Sequence, residues 1–126
     1  MGLEPLRLHP GDDLRAALQQ LMPAGFVVAG IGSLCHAQLR FAGEPGPTAI
    51  AGPLEILTLA GSLTPDGAHL HASVSDAAGR VLGGHVCAGC EVRTTVELLV
   101  APLPGHTLGR RLDPATGYPE LVIRHL

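Results

Sequence analysis

Apolar and polar positions fall into one helical stretch and a series of extended runs. Residues 3–8 alternate, with Leu3, Leu6 and Leu8 between polar neighbours, and predict a short first strand ended by Pro10-Gly11. Asp12 or Asp13 can accept from the free amides at a helix start. Leu14, Ala17, Leu18 and Leu21 then recur at helical spacing until Pro23 and Gly25 stop the helix after about three turns. From 26 to 101 the pattern is extended, in runs over 26–31, 34–41, 54–63, 69–75, 80–87 and 92–101, with a turn-rich loop at 43–47. One early helix and many short strands predict an α+β domain on a mostly antiparallel sheet of about six to seven strands. The tail, 102–126, is rich in Pro, Gly and Arg; it is expected to wrap the surface, with one helical turn over 119–123. No internal repeat or linker divides the chain, so 1–126 is read as a single domain.

Composition narrows the function classes. With 46% hydrophobic and 15% charged residues, the 126-residue chain is not a solvated disordered one. All eight basic residues are Arg, which excludes a Schiff-base lysine and a phosphate loop that needs one. A formal charge of −3 argues against a domain that grips nucleic acid by itself, and three aromatic residues are too few for a base-stacking platform. The start carries no secretory pattern, and the uncharged run 22–36 is broken by Pro and Gly and too short to span a bilayer. Three cysteines are too few for a disulfide framework. A reduced cytoplasmic protein with no membrane association is the expectation.

The richest segment is 69–87. Asp76-Ala77-Ala78-Gly79 suits a type I turn closed by a left-handed Gly, a three-residue hairpin loop. Asp76 then faces Arg80, which places His71 opposite His85 and His69 opposite Cys87. One face carries Leu70, Ala72, Val74, Leu82 and Val86; the other carries His69, His71, Ser73, Ser75, His85 and Cys87. Opposed Cβ atoms lie about 5 Å apart and alternate residues along a strand about 7 Å apart, so three imidazoles can converge on one ion. Zn²⁺ suits such a set, which leaves one tetrahedral position for water or a fourth group. The same spacing also suits a polar strand face whose histidines bond water or Glu, and a bulge at Gly83-Gly84 would shift the register.

Other candidates carry less. Cys87 and Cys90 have CxxC spacing but fall between strands rather than at a helix N-terminus. Cys90 is read as a core residue and Cys87 as a candidate fourth ligand. Glu55 and Glu97 lie in apolar strands, where a buried carboxylate needs a partner such as Arg40, Arg93 or a histidine ring. Alternatively, one of them orients a ligating His or serves as a base for bound water. His9, His36, His106 and His125 have no spacing that argues for a site, and Gly30-Ile31-Gly32 lacks the third Gly and helix of a dinucleotide fingerprint.

His69-Leu70-His71, the Asp76–Gly79 reversal and Gly83-Gly84-His85 together resemble the signature of the plant and prokaryote conserved (PPC) domain. Similar stretches are Leu6-Arg7-Leu8-His9-Pro10-Gly11, Gly30-Ile31-Gly32, Leu39-Arg40, Leu54-Glu55-Ile56-Leu57, Gly61-Ser62, Thr94-Thr95-Val96-Glu97 and Asp113-Pro114-Ala115-Thr116-Gly117. The resemblance implies a curved antiparallel sheet, a homotrimer, and a metal ion held by His69, His71 and His85. Members are provisionally called DNA-binding, but this chain lacks the Arg-Gly-Arg-Pro core of an AT-hook; Gly109-Arg110-Arg111 is its nearest approach. The functional expectation is a trimeric zinc-binding regulatory or binding module rather than an enzyme. Two alternatives stand beside it: a DNA-associated protein, and a metal-dependent enzyme acting on a small polar substrate through His₃-bound water.

Overall fold

A computed structural model describes residues 2–126. In chain order the elements are β1 (Glu4–Leu8), α1 (Leu14–Gln19), β2 (Gly25–Arg40), β3 (Thr48–Thr64), β4 (Gly67–Ser75), β5 (Val81–Val86), β6 (Glu91–Pro102), β7 (His106–Asp113) and β8 (Tyr118–His125). The first six strands form one antiparallel sheet in the order β1-β6-β2-β3-β4-β5. The far end of β2 also pairs with β5, through Leu39↔Val86 and Arg40↔His85, so the sheet curls back on itself. Register shifts in β2 between Val27 and Ala29, and again on either side of Leu34, accompany its passage along β6 and β5 in turn. Such irregularities bend a strand and increase its twist.

Apolar alternation puts Val27, Leu34, Leu39, Leu59, Leu70 and Val96 inside, each at most 1% exposed. Helix α1 adds Leu14 and Leu18 from one face, both fully buried. Asp13 caps it by accepting from the Ala16 amide at 2.9 Å, and its other carboxylate oxygen accepts from Gly89 N at 2.8 Å. The chain is therefore essentially all-β around one short helix, a correction to the α+β expectation. The helix has six residues rather than about three turns, because the chain leaves it at Gln20 and presents Leu21 and Met22 to the core from a turn. The runs at 26–31 and 34–41 are one strand; the glycines at 30 and 32 interrupt the apolar pattern without ending the ladder.

The tail departs further from expectation. Instead of wrapping the surface with a helical turn at 119–123, residues 106–125 form a two-stranded antiparallel ribbon, β7–β8. Asp113 makes its reversal: its carbonyl accepts from Gly117 N at 2.7 Å and its carboxylate from Ala115 N at 2.8 Å. The ribbon touches the body chiefly along β3. Leu108 is buried there, whereas Leu112, Tyr118 and Ile123 are exposed.

Candidate metal centre

Strand β4 turns Leu70, Ala72 and Val74 into the core, so His69, His71 and Ser73 point outward. The reversal after it is held by Asp76. Its backbone N donates to the Arg80 carbonyl and its own carbonyl accepts from Gly79 N, both at 3.0 Å. Its carboxylate accepts from the Ala78 and Arg80 amides and from Arg80 Nε, each at 2.9 Å. These donors, the Arg80 amide foremost, hold the Asp76 carboxyl below its ordinary range. Gly79 closes the turn at φ +80°, where a side chain would be strained.

The turn sets the expected register: Ser75↔Val81, Val74↔Leu82, Ser73↔Gly83, Ala72↔Gly84 and His71↔His85. Gly83-Gly84 introduces no bulge. A Cβ on Gly84 would come within 2.7 Å of the Arg40 carbonyl oxygen, so glycine there lets β5 close onto β2.

Two expected details differ. His69 does not face Cys87, because past His85 strand β5 joins β2; Cys87 N donates to Gln38 O, and His69 lies opposite Ser62 on β3. Leu82 is 42% exposed although its partner Val74 is buried, since β5 is the edge of the sheet there and meets β2 only at His85 and Val86.

The three imidazoles form one cluster. His71 and His85 have ring centroids 4.5 Å apart, His69 and His71 4.9 Å, and His69 and His85 5.0 Å. One ligand nitrogen from each can be chosen so that all lie within 4.8 Å of one another. Tetrahedral zinc with Zn–N near 2.0–2.1 Å would need them about 3.4 Å apart. The three side chains face outward, and among the described residues no ring nitrogen of the three is committed to a hydrogen bond that would have to break for it to turn toward an ion. The donor set therefore fits a metal ion. His69 is shifted below the ordinary histidine value by partial burial first, then by His71, Arg110 and Arg15, with Glu120 opposing. His85 is shifted the same way by burial, then by Arg40, its two imidazole neighbours and Arg15. Both shifts favour the neutral, ligating ring.

The remaining candidates lie elsewhere. Glu55 and Glu97 are exposed rather than buried in need of partners. Glu55 faces Ser75, four residues from His71 and so roughly 13 Å along the strand. Cys90 is fully buried, as expected of a core residue, and Cys87 is not among the clustered donors. His36 donates through Nδ1 to Gly89 O at 2.9 Å and places Nε2 3.9 Å from Glu91. His106 and His125 face each other across β7–β8 with centroids 4.4 Å apart, a pair the sequence reading missed. Its signal is the Asp113–Gly117 stretch, which has the same Asp-to-Gly chemistry as the Asp76 turn. Three arginines also gather at the triad: Arg40 opposite His85, Arg110 bonded to Ser62, and Arg15 bonded to the Val86 carbonyl. Pairings so distant in sequence leave no local pattern to read.

The chain is similar to known proteins over most of its length. A family model described as the Plants and Prokaryotes Conserved domain matches residues 5–104. A hypothetical protein from Salmonella cholerae-suis is 40% identical, with a TM-score of 0.89 over 98% of this chain and 93% of its own. A metal-containing protein from Archaeoglobus fulgidus is 26% identical, with a TM-score of 0.81 over 97% of this chain and 94% of its own. Bacterial structures provisionally named DNA-binding share 19% and 24% identity, which shows the fold alone. A bifunctional protein GlmU from a Synechococcus strain is 50% identical over 95% of this chain; the chain spans about a fifth of the length of the curated relatives it matches. No helix among the described residues is long and apolar enough to cross a membrane.

Proposed function

The chain belongs to the Plants and Prokaryotes Conserved domain family, and from that premise we propose that it is a trimeric module that binds one zinc ion per chain through His69, His71 and His85. The observation that carries the reading is the triad: three imidazoles without hydrogen bonds, two of them on the outer face of β4, whose other face is core, and the third opposite on β5. Three neutral nitrogens and no clustered carboxylate favour a borderline transition metal over magnesium or calcium. Bound zinc supplies a Lewis-acidic centre with one open position. The Asp76 turn and the buried side of β4 hold the imidazoles that would bind the ion. The role is binding or regulation: Glu55 and Glu97, the candidate bases, lie outside the cluster. The three free cysteines suit a reducing cytoplasmic setting.

Self-association, for which we propose three chains, draws support from exposed apolar side chains, Val28, Ile31 and Leu57 on β2 and β3 and Tyr118 and Ile123 on the ribbon. A two-stranded ribbon with so little core of its own is marginal unless something covers it. Native mass spectrometry of protein purified without a histidine tag tests both parts. Three chains carrying three zinc ions are expected. A monomer would remove the trimer, and a metal-free protein whose melting temperature ignores added zinc would remove the metal site.

A further inference from the structure

Three arginines, Arg15, Arg40 and Arg110, lie near enough to the triad for their charges to act on His69 or His85. Arg40 pairs with His85 across the β2–β5 ladder, which turns its side chain to the same face as that imidazole. Arg110 reaches from β7 and donates through Nη2 to Ser62 Oγ at 2.6 Å, and Ser62 is the residue opposite His69. Arg15 crosses from α1 to donate through Nη1 to the carbonyl of Val86, the residue after His85. Three elements distant in sequence thus bring cations to one spot of a chain whose formal charge is −3. Among the described residues, the ion pairs are His36–Glu91 and Arg80–Asp76, so none of the three is neutralised by a bonded carboxylate. Asp66 accepts from the Arg110 backbone N at 2.9 Å; the charges of Asp66 and Glu120 partly offset Arg110, and Glu120 also acts on His69, which leaves three guanidiniums against two nearby carboxylates.

A metal held by three neutral imidazoles keeps its full dipositive charge, and three guanidiniums beside it add to the local excess. Such a concentration of like charge is costly unless an anion shares the space. Guanidinium presents paired N–H donors that match carboxylate and phosphate oxygens. We propose that the open position of the metal centre binds a small oxyanion, the carboxylate or phosphate of a low-molecular-weight ligand, which bridges the ion and the guanidinium groups of Arg40, Arg110 and Arg15. This rests on the metal-site reading of His69, His71 and His85. It adds the class of ligand and three residues that select it.

The test uses the full chain loaded with Co²⁺ in place of zinc, so that visible absorption reports any change of the fourth ligand. Acetate and methyl phosphate are the probes, and methylammonium is the cationic control. Both anions are expected to shift the spectrum and methylammonium to leave it unchanged; the tighter-binding anion identifies the carboxylate or phosphate source. Arg40→Gln and Arg110→Gln are each expected to weaken the anion about tenfold or more while metal stoichiometry holds. Arg40→Lys and Arg110→Lys, which keep the charge without the fork, serve if either Gln variant fails to fold, and are expected to weaken the anion by less. Metal bound with no anion response, or an anion affinity indifferent to all these variants, overturns this inference and leaves the metal site standing. No metal binding at all overturns both.

Discussion

Two pairs of histidines face each other across antiparallel ladders, His71 with His85 between β4 and β5, and His106 with His125 between β7 and β8. Their centroids are nearly equally spaced, 4.5 and 4.4 Å. The surroundings differ. The first pair gains His69 two residues along the same strand, and the strand beneath it is locked by Leu70, Ala72 and Val74. The second pair has no third donor clustered with it among the described residues. It sits on a ribbon that buries Leu108 and exposes Leu112, Tyr118 and Ile123. A cross-strand histidine pair is thus not a site by itself. A third nitrogen and a scaffold that holds all three through packing make the difference, because ordering the ligands beforehand removes an entropic cost of binding.

The largest effect that separates the two regions is on stability. Leu70→Ala removes a side chain that is 1% exposed directly beneath the triad, and should cost about 2–5 kcal/mol in chemical denaturation. Ile123→Ala on the ribbon should leave the fold of the chain within about 0.5 kcal/mol, its cost appearing instead in association. A loss for Ile123→Ala as large as that for Leu70→Ala, independent of protein concentration, would place the ribbon in the same cooperative core and erase the distinction.

Metal affinity comes next. Loss of a partner that merely orients a ligand costs about 10–100-fold, so removing a ligand in His71→Ala should exceed about 100-fold in zinc competition titration. His125→Ala should leave both affinity and stoichiometry unchanged. The pH dependence has a definite sign. Zinc needs neutral rings, and His69 and His85 are held below the ordinary histidine value of about 6.5. Their protons therefore compete little at neutral pH. Zinc binding, with the stability it confers, should be flat above about pH 7 and fall as pH drops below about 6. Release beginning above pH 7 would contradict those shifts.

The two hairpins also show what is legible in a sequence. Asp76, Gly79 and the alternation of Leu70, Ala72 and Val74 are local signals, and together they carried the register that joins His71 to His85. Asp113 and Gly117 hold the same turn chemistry. There, however, the flanking strands lack a buried alternating face, so the pattern predicts a surface tail rather than a ribbon. The helical spacing predicts a longer α1 because Leu21 keeps it although the backbone has already turned toward β2. The closure of β5 on β2 was out of reach. Arg40 meets His85, and β5 takes Cys87 away from His69, through pairings that no local pattern encodes.

The smallest expected effect lies within the ribbon pair. His106 Nδ1 is buried without a hydrogen-bond partner in the chain, a state that ordinarily costs stability. His106→Leu keeps comparable bulk and removes the unsatisfied atom, so it should be neutral or stabilising by up to about 1 kcal/mol, with zinc stoichiometry unchanged. His71→Leu should also leave the fold nearly as stable, because that ring is exposed, yet it should abolish the metal. The contrast separates a ring proposed as a ligand from one that fills space beside His125. Destabilisation of His106→Leu by more than about 1 kcal/mol would mean that Nδ1 finds its partner in the assembled protein. The second pair would then be an interface element, and its likeness to the first would extend beyond ring spacing.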